Sequence, residues 1–217
     1  MEEDYNLYRD VPIDKLLVRK NANRDMAKAE SARYYFASVT GVDRAFGMIL
    51  DALKEAGLDE NTVVVFSSDH GETMCSQNTD DPKNSPYTES MNVPFIIRYG
   101  SRLKPHVDNL LLSSPDIMPT MLGMAGLHDK IPAEIQGVDY SPLFYQPGSE
   151  SVKRPDAALY IQNMDGNKDA QGNVVDYFPS ARGIKTHQYT MAVYIDRNNN
   201  RDHVLLFDDK VDPYQLN

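Results

Sequence analysis

The run Ser67-Ser68-Asp69-His70-Gly71-Glu72 sets a carboxylate beside an imidazole, directly after a stretch of β-branched and apolar residues. Adjacent Asp and His side chains can supply two ligands to one divalent ion. Calcium takes carboxylate oxygens readily and imidazole nitrogen less so, which keeps manganese and zinc open as alternatives. In open α/β sheets, ligands bind beyond the carboxyl ends of the strands, and Asp69 and His70 stand at such an end. Gly71 then lets the backbone turn tightly. On spacing alone a plainer reading stands beside this one: Asp69 caps the following turn and His70 is an ordinary surface histidine.

Other candidates lie downstream. Lys83 and Tyr87 fall in a long polar stretch, where a lysine can neutralise an anionic substrate oxygen as a point charge or simply be solvated. Glu72, Glu89 and Arg98 flank the same region as potential ion-pair partners. Cys75 is the single cysteine, so no disulfide or thiolate zinc cage can form within one chain. It reads as an incidental loop residue. His106, His128, His187 and His203 are scattered without metal-ligand spacing, and a structural role is the expectation for His187 and His203.

These residues need elements to hold them. Residues 1 to 26 lack periodicity and read as an extended lead-in. Apolar residues at Ala32, Tyr35, Phe36, Val39, Val42, Phe46, Ile49, Leu50 and Leu53 recur in steps of three and four, the mark of an amphipathic helix with one buried face. Gly57 is placed to end it, and Gly41 inside it suggests a close approach by another element. The run Thr62-Val63-Val64-Val65-Phe66 has the continuous apolar character of a strand in a parallel sheet. Residues 72 to 92 show no period, and a loop of that length inside a domain suggests function. Val93 to Ile97 reads as a second strand, with Pro94 near its start. Ser114 and Pro115 open a helix that Gly126 can close. Beyond about residue 150, short strands at Ala158 to Gln162, Tyr189 to Ile195 and His203 to Phe207 suggest a small antiparallel sheet.

The expected architecture is α/β: part of a mixed sheet between helices over residues 1–145, then a small α+β subdomain with an antiparallel sheet over 146–217. The 217 residues are enough for one domain with a core, or one plus a small satellite. With 22 Lys+Arg against 32 Asp+Glu the net charge is −10, and no basic cluster breaks it. Nucleic acid is therefore not an expected partner. A small anion remains compatible, because one metal ion and a few basic side chains reverse the sign locally. No window approaches the roughly 18 apolar residues of a membrane span. The acidic start Met1-Glu2-Glu3-Asp4-Tyr5 carries no export signal, which leaves the location of the protein open.

Several blocks resemble the sulfatase family of the alkaline-phosphatase-like superfamily. ILDALKEAGLDENTVVVFSSDHGE, KNSPYTESMNVPFII, SSPDIMPTMLGMAGL, IQGVDYSPLF and the terminal LLFDDKVDPYQLN follow one another as the family's segments do, across nearly the whole chain. The resemblance implies that Asp69 and His70 are metal ligands, with calcium the expected ion. It also implies that Lys83 contacts the sulfate or the leaving-group oxygen, so that His70 and Lys83 are the catalytic candidates. The substrate class it implies is a small sulfated molecule or sugar. One position departs from the pattern: Thr88 follows Tyr87 where the family commonly has Glu.

A second departure is an absence. The family's Cys-x-Pro-x-Arg segment, whose cysteine becomes formylglycine, and an early aspartate pair are not present. Cys75, followed by Ser76-Gln77-Asn78, cannot take that role. The expectation is a C-terminal portion of a sulfatase, incomplete and inactive alone, with poor metal affinity and an exposed surface open to self-association. The alternatives are a phosphonate or phosphodiester hydrolase of the same superfamily, or a binding module without catalysis.

Overall fold

The computed structural model describes residues 2–162, 168–175, 180–196 and 198–217. Its helices are α1 (Glu2–Asn6), α2 (Ile13–Leu16), α3 (Ala32–Glu55), α4 (Thr88–Met91), α5 (Ser114–Met124) and α6 (Ser141–Tyr145). Its strands are β1 (Val64–Ser67), β2 (Phe95–Arg98), β3 (Ala158–Gln162), β4 (Ser180–Lys185), β5 (Tyr189–Ile195) and β6 (Arg201–Asp208). The chain forms two compact units, Met1–Leu103 with Leu216 and Lys104–Gln215 with Asn217.

In the first unit α3 is the backbone of the packing. It ends as its sequence dictates: Gly57 takes φ 67°, and the N–H of Leu58 reaches back to Leu53 O at 3.1 Å. Phe46 packs on Phe66 of β1 with ring centroids 5.1 Å apart. The lead-in is not extended, because its polar groups have partners on α3. The buried carboxylate of Asp4 in α1 accepts both guanidinium nitrogens of Arg44, at 2.6 and 2.8 Å. Tyr5 stacks on Tyr34 at 4.7 Å, and the Tyr8 and Thr40 hydroxyls bond at 2.7 Å. Gly41 lies beside Asp4, but a methyl there would meet Asp4 Oδ2 at an ordinary 3.6 Å, so this approach does not require glycine.

The apolar face of α3 is only partly covered. Ala32 and Ala37 are buried, whereas Val39, Val42 and Ile49 are exposed by 51%, 55% and 62%. Periodicity identifies which face is apolar; it does not supply what lies on it.

The expectation of parallel pairing at β1 is corrected. β1 and β2 are antiparallel, with Val65 opposite Ile97 and Phe66 opposite Ile96. β1 is half-buried along Val64 to Phe66, and β2 alternates half-buried and exposed residues. A continuous apolar run reports burial and carries no direction; the return of the chain through residues 68–94 sets direction here.

In the second unit, Ser113 rather than Ser114 caps α5, because the Asp116 carboxylate accepts the Ser113 N–H at 2.9 Å. The same buried carboxylate takes the Val138 N–H at 2.9 Å, and Thr120 Oγ1 takes the Tyr140 N–H at 3.0 Å. These bonds lock α5 to the segment entering α6. The small sheet is an antiparallel meander in the order β3-β4-β5-β6. Its strands include those expected, plus β4, which Arg182 and Gly183 disguise in the sequence. Ala181, Ala192 and Tyr194 form a buried cluster with Tyr160 and Leu205. On alternating positions, Leu159, Ile184, Met191 and Leu206 are cross-strand neighbours and are exposed.

Candidate active site

Asp69 and His70 follow the carboxyl end of β1 after one intervening residue, Ser68. Their side chains converge, with His70 Nε2 3.4 Å from Asp69 Oδ2, and both open to solvent, 40% and 83% exposed respectively. His70 Nδ1 lies 2.8 Å from the Gly71 carbonyl oxygen. A carbonyl only accepts, so in this geometry Nδ1 carries the proton and the Nε2 lone pair is directed to the Asp69 side. Asp69 Oδ1 accepts the His70 N–H at 3.0 Å and the Ser68 hydroxyl at 3.3 Å. The His70 backbone N–H holds the Asp69 carboxyl below its ordinary range. An ionised carboxylate beside an unprotonated imidazole nitrogen suits a divalent cation as two of its ligands. Among the described residues no group of three His, Cys, Asp or Glu gathers around one point, so these two side chains would supply at most two ligands to an ion.

The long segment after the pair is ordered by contacts. A methyl on Gly71 would fall 1.9 Å from the Glu89 carbonyl oxygen, so only glycine fits where the turn presses on α4. The Gly71 N–H donates to Ser90 O at 2.8 Å. The Ser90 hydroxyl donates to the Lys83 carbonyl, and Thr73 holds the same strand of loop through its N–H to Pro82 O (2.8 Å) and its hydroxyl to Asp81 O (3.0 Å). Lys83 itself is exposed, and no hydrogen bond or ion pair joins its ammonium to Asp69 or His70. The geometry thus unites Asp69 with His70 and ties the Lys83 backbone to the same frame.

Glu89 and Glu72 differ. The Glu89 side chain is 6% exposed, and its Oε1 receives Arg19 Nη2 and Asn21 Nδ2, each at 2.7 Å. Glu72 instead accepts the Met74 N–H at 3.1 Å. Arg19 and Asn21 escape notice in the sequence, because nothing local marks a lead-in residue as the partner of a distant carboxylate. The same segment pairs with the loop, Asn23 N–H to Cys75 O at 2.9 Å and Gln77 N–H to Asn21 O at 3.0 Å.

Cys75 is buried among Leu17, Ala22, Ala29 and Ala32, and burial pushes its thiol pKa up. This is the environment of a core thiol rather than of an activated nucleophile. Arg98 is exposed at the end of β2. In the second unit His106 Nδ1 bonds Lys104 O at 2.9 Å, and His128 pairs with Asp139 at 2.8 Å. His203 stacks on Tyr194 with ring centroids 4.3 Å apart. His187 is exposed in the turn between β4 and β5.

Known proteins resemble this chain throughout. The sulfatase family model matches residues 9–127, and the model of the N-sulphoglucosamine sulphohydrolase C-terminal region matches residues 81–217. An endo-4-O-sulfatase of Bacteroides thetaiotaomicron is 64% identical over 217 residues, all of this chain and 42% of that protein. An ulvan-active sulfatase of Formosa agariphila is 35% identical over 191 residues, 87% of this chain and 34% of that one. A solved structure from work on the metabolism of multiple glycosaminoglycans by B. thetaiotaomicron superposes with a TM-score of 0.93 at 64% identity, covering all of this chain and 44% of its own. Another, solved in complex with its substrate D-glucosamine-2-N,6-O-disulfate, gives 0.73 at 28% identity over 87% of this chain and 36% of its own. The chain therefore spans less than half the length of these relatives, matching their C-terminal portion. No described helix is long and apolar enough to cross a membrane. With one family model over more than half the chain, and an alkaline-phosphatase-like α/β fold shared with solved sulfatases, the chain belongs to the sulfatase family.

Proposed function

We propose that the protein carrying this chain hydrolyses sulfate monoesters of glycosaminoglycan sugars at 4-O-sulfated positions. Asp69 and His70 are its cation ligands, and Lys83 is its contact to the sulfate. The observation that carries this reading is the exposed Asp69–His70 pair beyond β1, in a chain 64% identical to an endo-4-O-sulfatase. The net reaction breaks the ester S–O bond, passes the sulfuryl group to water and releases the sugar alcohol.

Asp69 is anionic at neutral pH, as a carboxylate ordinarily is, and the His70 backbone N–H lowers its pKa further. His70 would offer its Nε2 lone pair to the cation beside Asp69, because Nδ1–H donates its hydrogen bond to the Gly71 carbonyl oxygen. Asp69 and His70 would hold a divalent cation, calcium in our assignment, which when bound would supply Lewis-acid charge to the sulfate oxygens. Lys83 adds a mobile positive charge from the loop, suited to the ester oxygen as it becomes an alkoxide.

The test offers the full-length protein glycosaminoglycan oligosaccharides sulfated at O4 or at O6. Sulfate release from the O4 form alone, abolished by Asp69→Ala, is the expected result. Release from neither sinks the reading, and release from the O6 form alone sinks its regiochemistry.

Two further proposals concern the polypeptide itself. The exposed Val39, Val42 and Ile49 of α3 support self-association of the isolated 217 residues, which light scattering checks. The exposed turn at Gln146 to Gly148 supports a boundary between segments 1–145 and 146–217 that lies inside the compact unit Lys104–Gln215. Limited proteolysis that spares this turn and cuts elsewhere would remove that boundary.

A further inference from the structure

We propose that Ser90 is a positioning residue of the sulfate site, holding the Asp69–His70 turn with its carbonyl and the Lys83 backbone with its hydroxyl. The inference rests on the reading above, in which Lys83 meets the sulfate.

Ser90 is 3% exposed and sits in the single turn of α4. Its carbonyl oxygen accepts the Gly71 N–H at 2.8 Å, one residue beyond His70. Its Oγ donates to the carbonyl oxygen of Lys83. One buried residue therefore joins the two limbs of the site, seven residues from Lys83 along the chain. A linking residue transmits position only if it is itself held. The neighbouring Glu89 meets that condition, since its buried carboxylate is pinned by Arg19 and Asn21 at 2.7 Å each. The Glu89 carbonyl also abuts Gly71 so closely that no β-carbon fits between them. The short helix is thus clamped from the lead-in on one side and from the metal-ligand turn on the other.

The two limbs depend on different atoms of Ser90, and this separates them experimentally. Replacement of the side chain leaves the backbone bond to Gly71 in place and removes only the bond to Lys83. In Ser90→Ala, the Lys83 carbonyl loses its buried donor and the loop carrying the ammonium relaxes. The cation ligands remain where they were.

The experiment measures sulfate-ester hydrolysis of an O4-sulfated glycosaminoglycan oligosaccharide by the full-length protein, its inhibition by inorganic sulfate, and the calcium concentration for half-activity. For Ser90→Ala, the inhibition constant of sulfate should rise roughly fivefold, the scale of one lost hydrogen bond, with the calcium midpoint unchanged. In a Lys83→Ala background the same substitution should add nothing, because its effect passes through Lys83. A merely structural role would shift calcium and sulfate together, and would persist in that background; either result overturns the proposal. If Ser90→Ala does not fold, Ser90→Cys keeps the volume and weakens the donor. A sulfate-only shift of smaller size is then expected, and no shift overturns the proposal. If Lys83→Ala alone leaves sulfate inhibition unchanged, the assignment of Lys83 fails, and the role of Ser90 fails with it. If Lys83→Ala weakens inhibition and Ser90→Ala does not, only the role of Ser90 fails.

Discussion

The N–H of Gly71 donates to the carbonyl oxygen of Ser90 at 2.8 Å, and this bond seats the Asp69–His70 turn on α4. A methyl at Gly71 would lie 1.9 Å from the Glu89 carbonyl oxygen, a backbone atom that cannot rotate away. Gly71→Ala should therefore cost roughly 1–3 kcal/mol of stability, as overpacking does. It should also weaken calcium dependence, because the turn must move. A urea midpoint equal to that of the wild type would show that the turn is free to shift.

The Asp69 side chain is 83% exposed, so its removal should leave the fold intact while removing the proposed cation ligand. In the full-length protein, Asp69→Ala should lower sulfate release about a thousandfold or more, since metal stabilisation of a transition state is worth several kcal/mol. Chelation should depress wild-type activity, and added calcium should restore it. Retention of activity by Asp69→Ala with an unchanged thermal midpoint would remove Asp69 from the site.

Cys75 is buried in an apolar cluster with a raised thiol pKa. Cys75→Ala should leave sulfate release at the wild-type level and cost about 1 kcal/mol of stability through the small void it creates. In the native protein at pH 8, iodoacetamide should label the thiol only as fast as the chain opens. Rapid labelling without unfolding would contradict the buried position.

Arg154 grips both oxygens of Asp108, at 2.7 and 2.6 Å, and holds that carboxyl below its ordinary range. The folded state therefore takes up the proton at lower pH than the unfolded state, whose value is about 3.9. The pair's stabilisation is complete above about pH 4 and fades as the pH falls through the folded value. Asp108→Asn should cost about 1 kcal/mol at pH 7, a modest figure because both side chains are partly exposed. It should also flatten the acid limb of the stability profile. Parallel acid limbs for the two proteins would show that the pair contributes nothing.

The 217 residues alone should not turn over aryl sulfates, since they hold no Cys-x-Pro-x-Arg segment and their one cysteine is buried. Hydrolysis by the purified polypeptide, abolished by Asp69→Ala, would require a nucleophile within these residues.

The sequence alone determined what depends on neighbours along the chain. The apolar steps from Ala32 to Leu53 mark α3, and Gly57 and Gly126 end their helices because each takes the left-handed φ that side chains resist. A β-branched run before Asp69-His70 places that pair at a strand end, and the motif is legible because two adjacent residues carry it. Tertiary structure decided the rest. The antiparallel pairing of β1 with β2 follows from how the loop returns, which an apolar run does not encode. Glu89 meets Asn21 across 68 residues, and Cys75 is buried beneath the same lead-in. Ser90 gains its two bonds only once α4 is clamped, since a serine in a polar loop carries no local signal of the atoms that will surround it. Local propensity acts within a turn or two of the chain, whereas these contacts exist only after distant segments have packed.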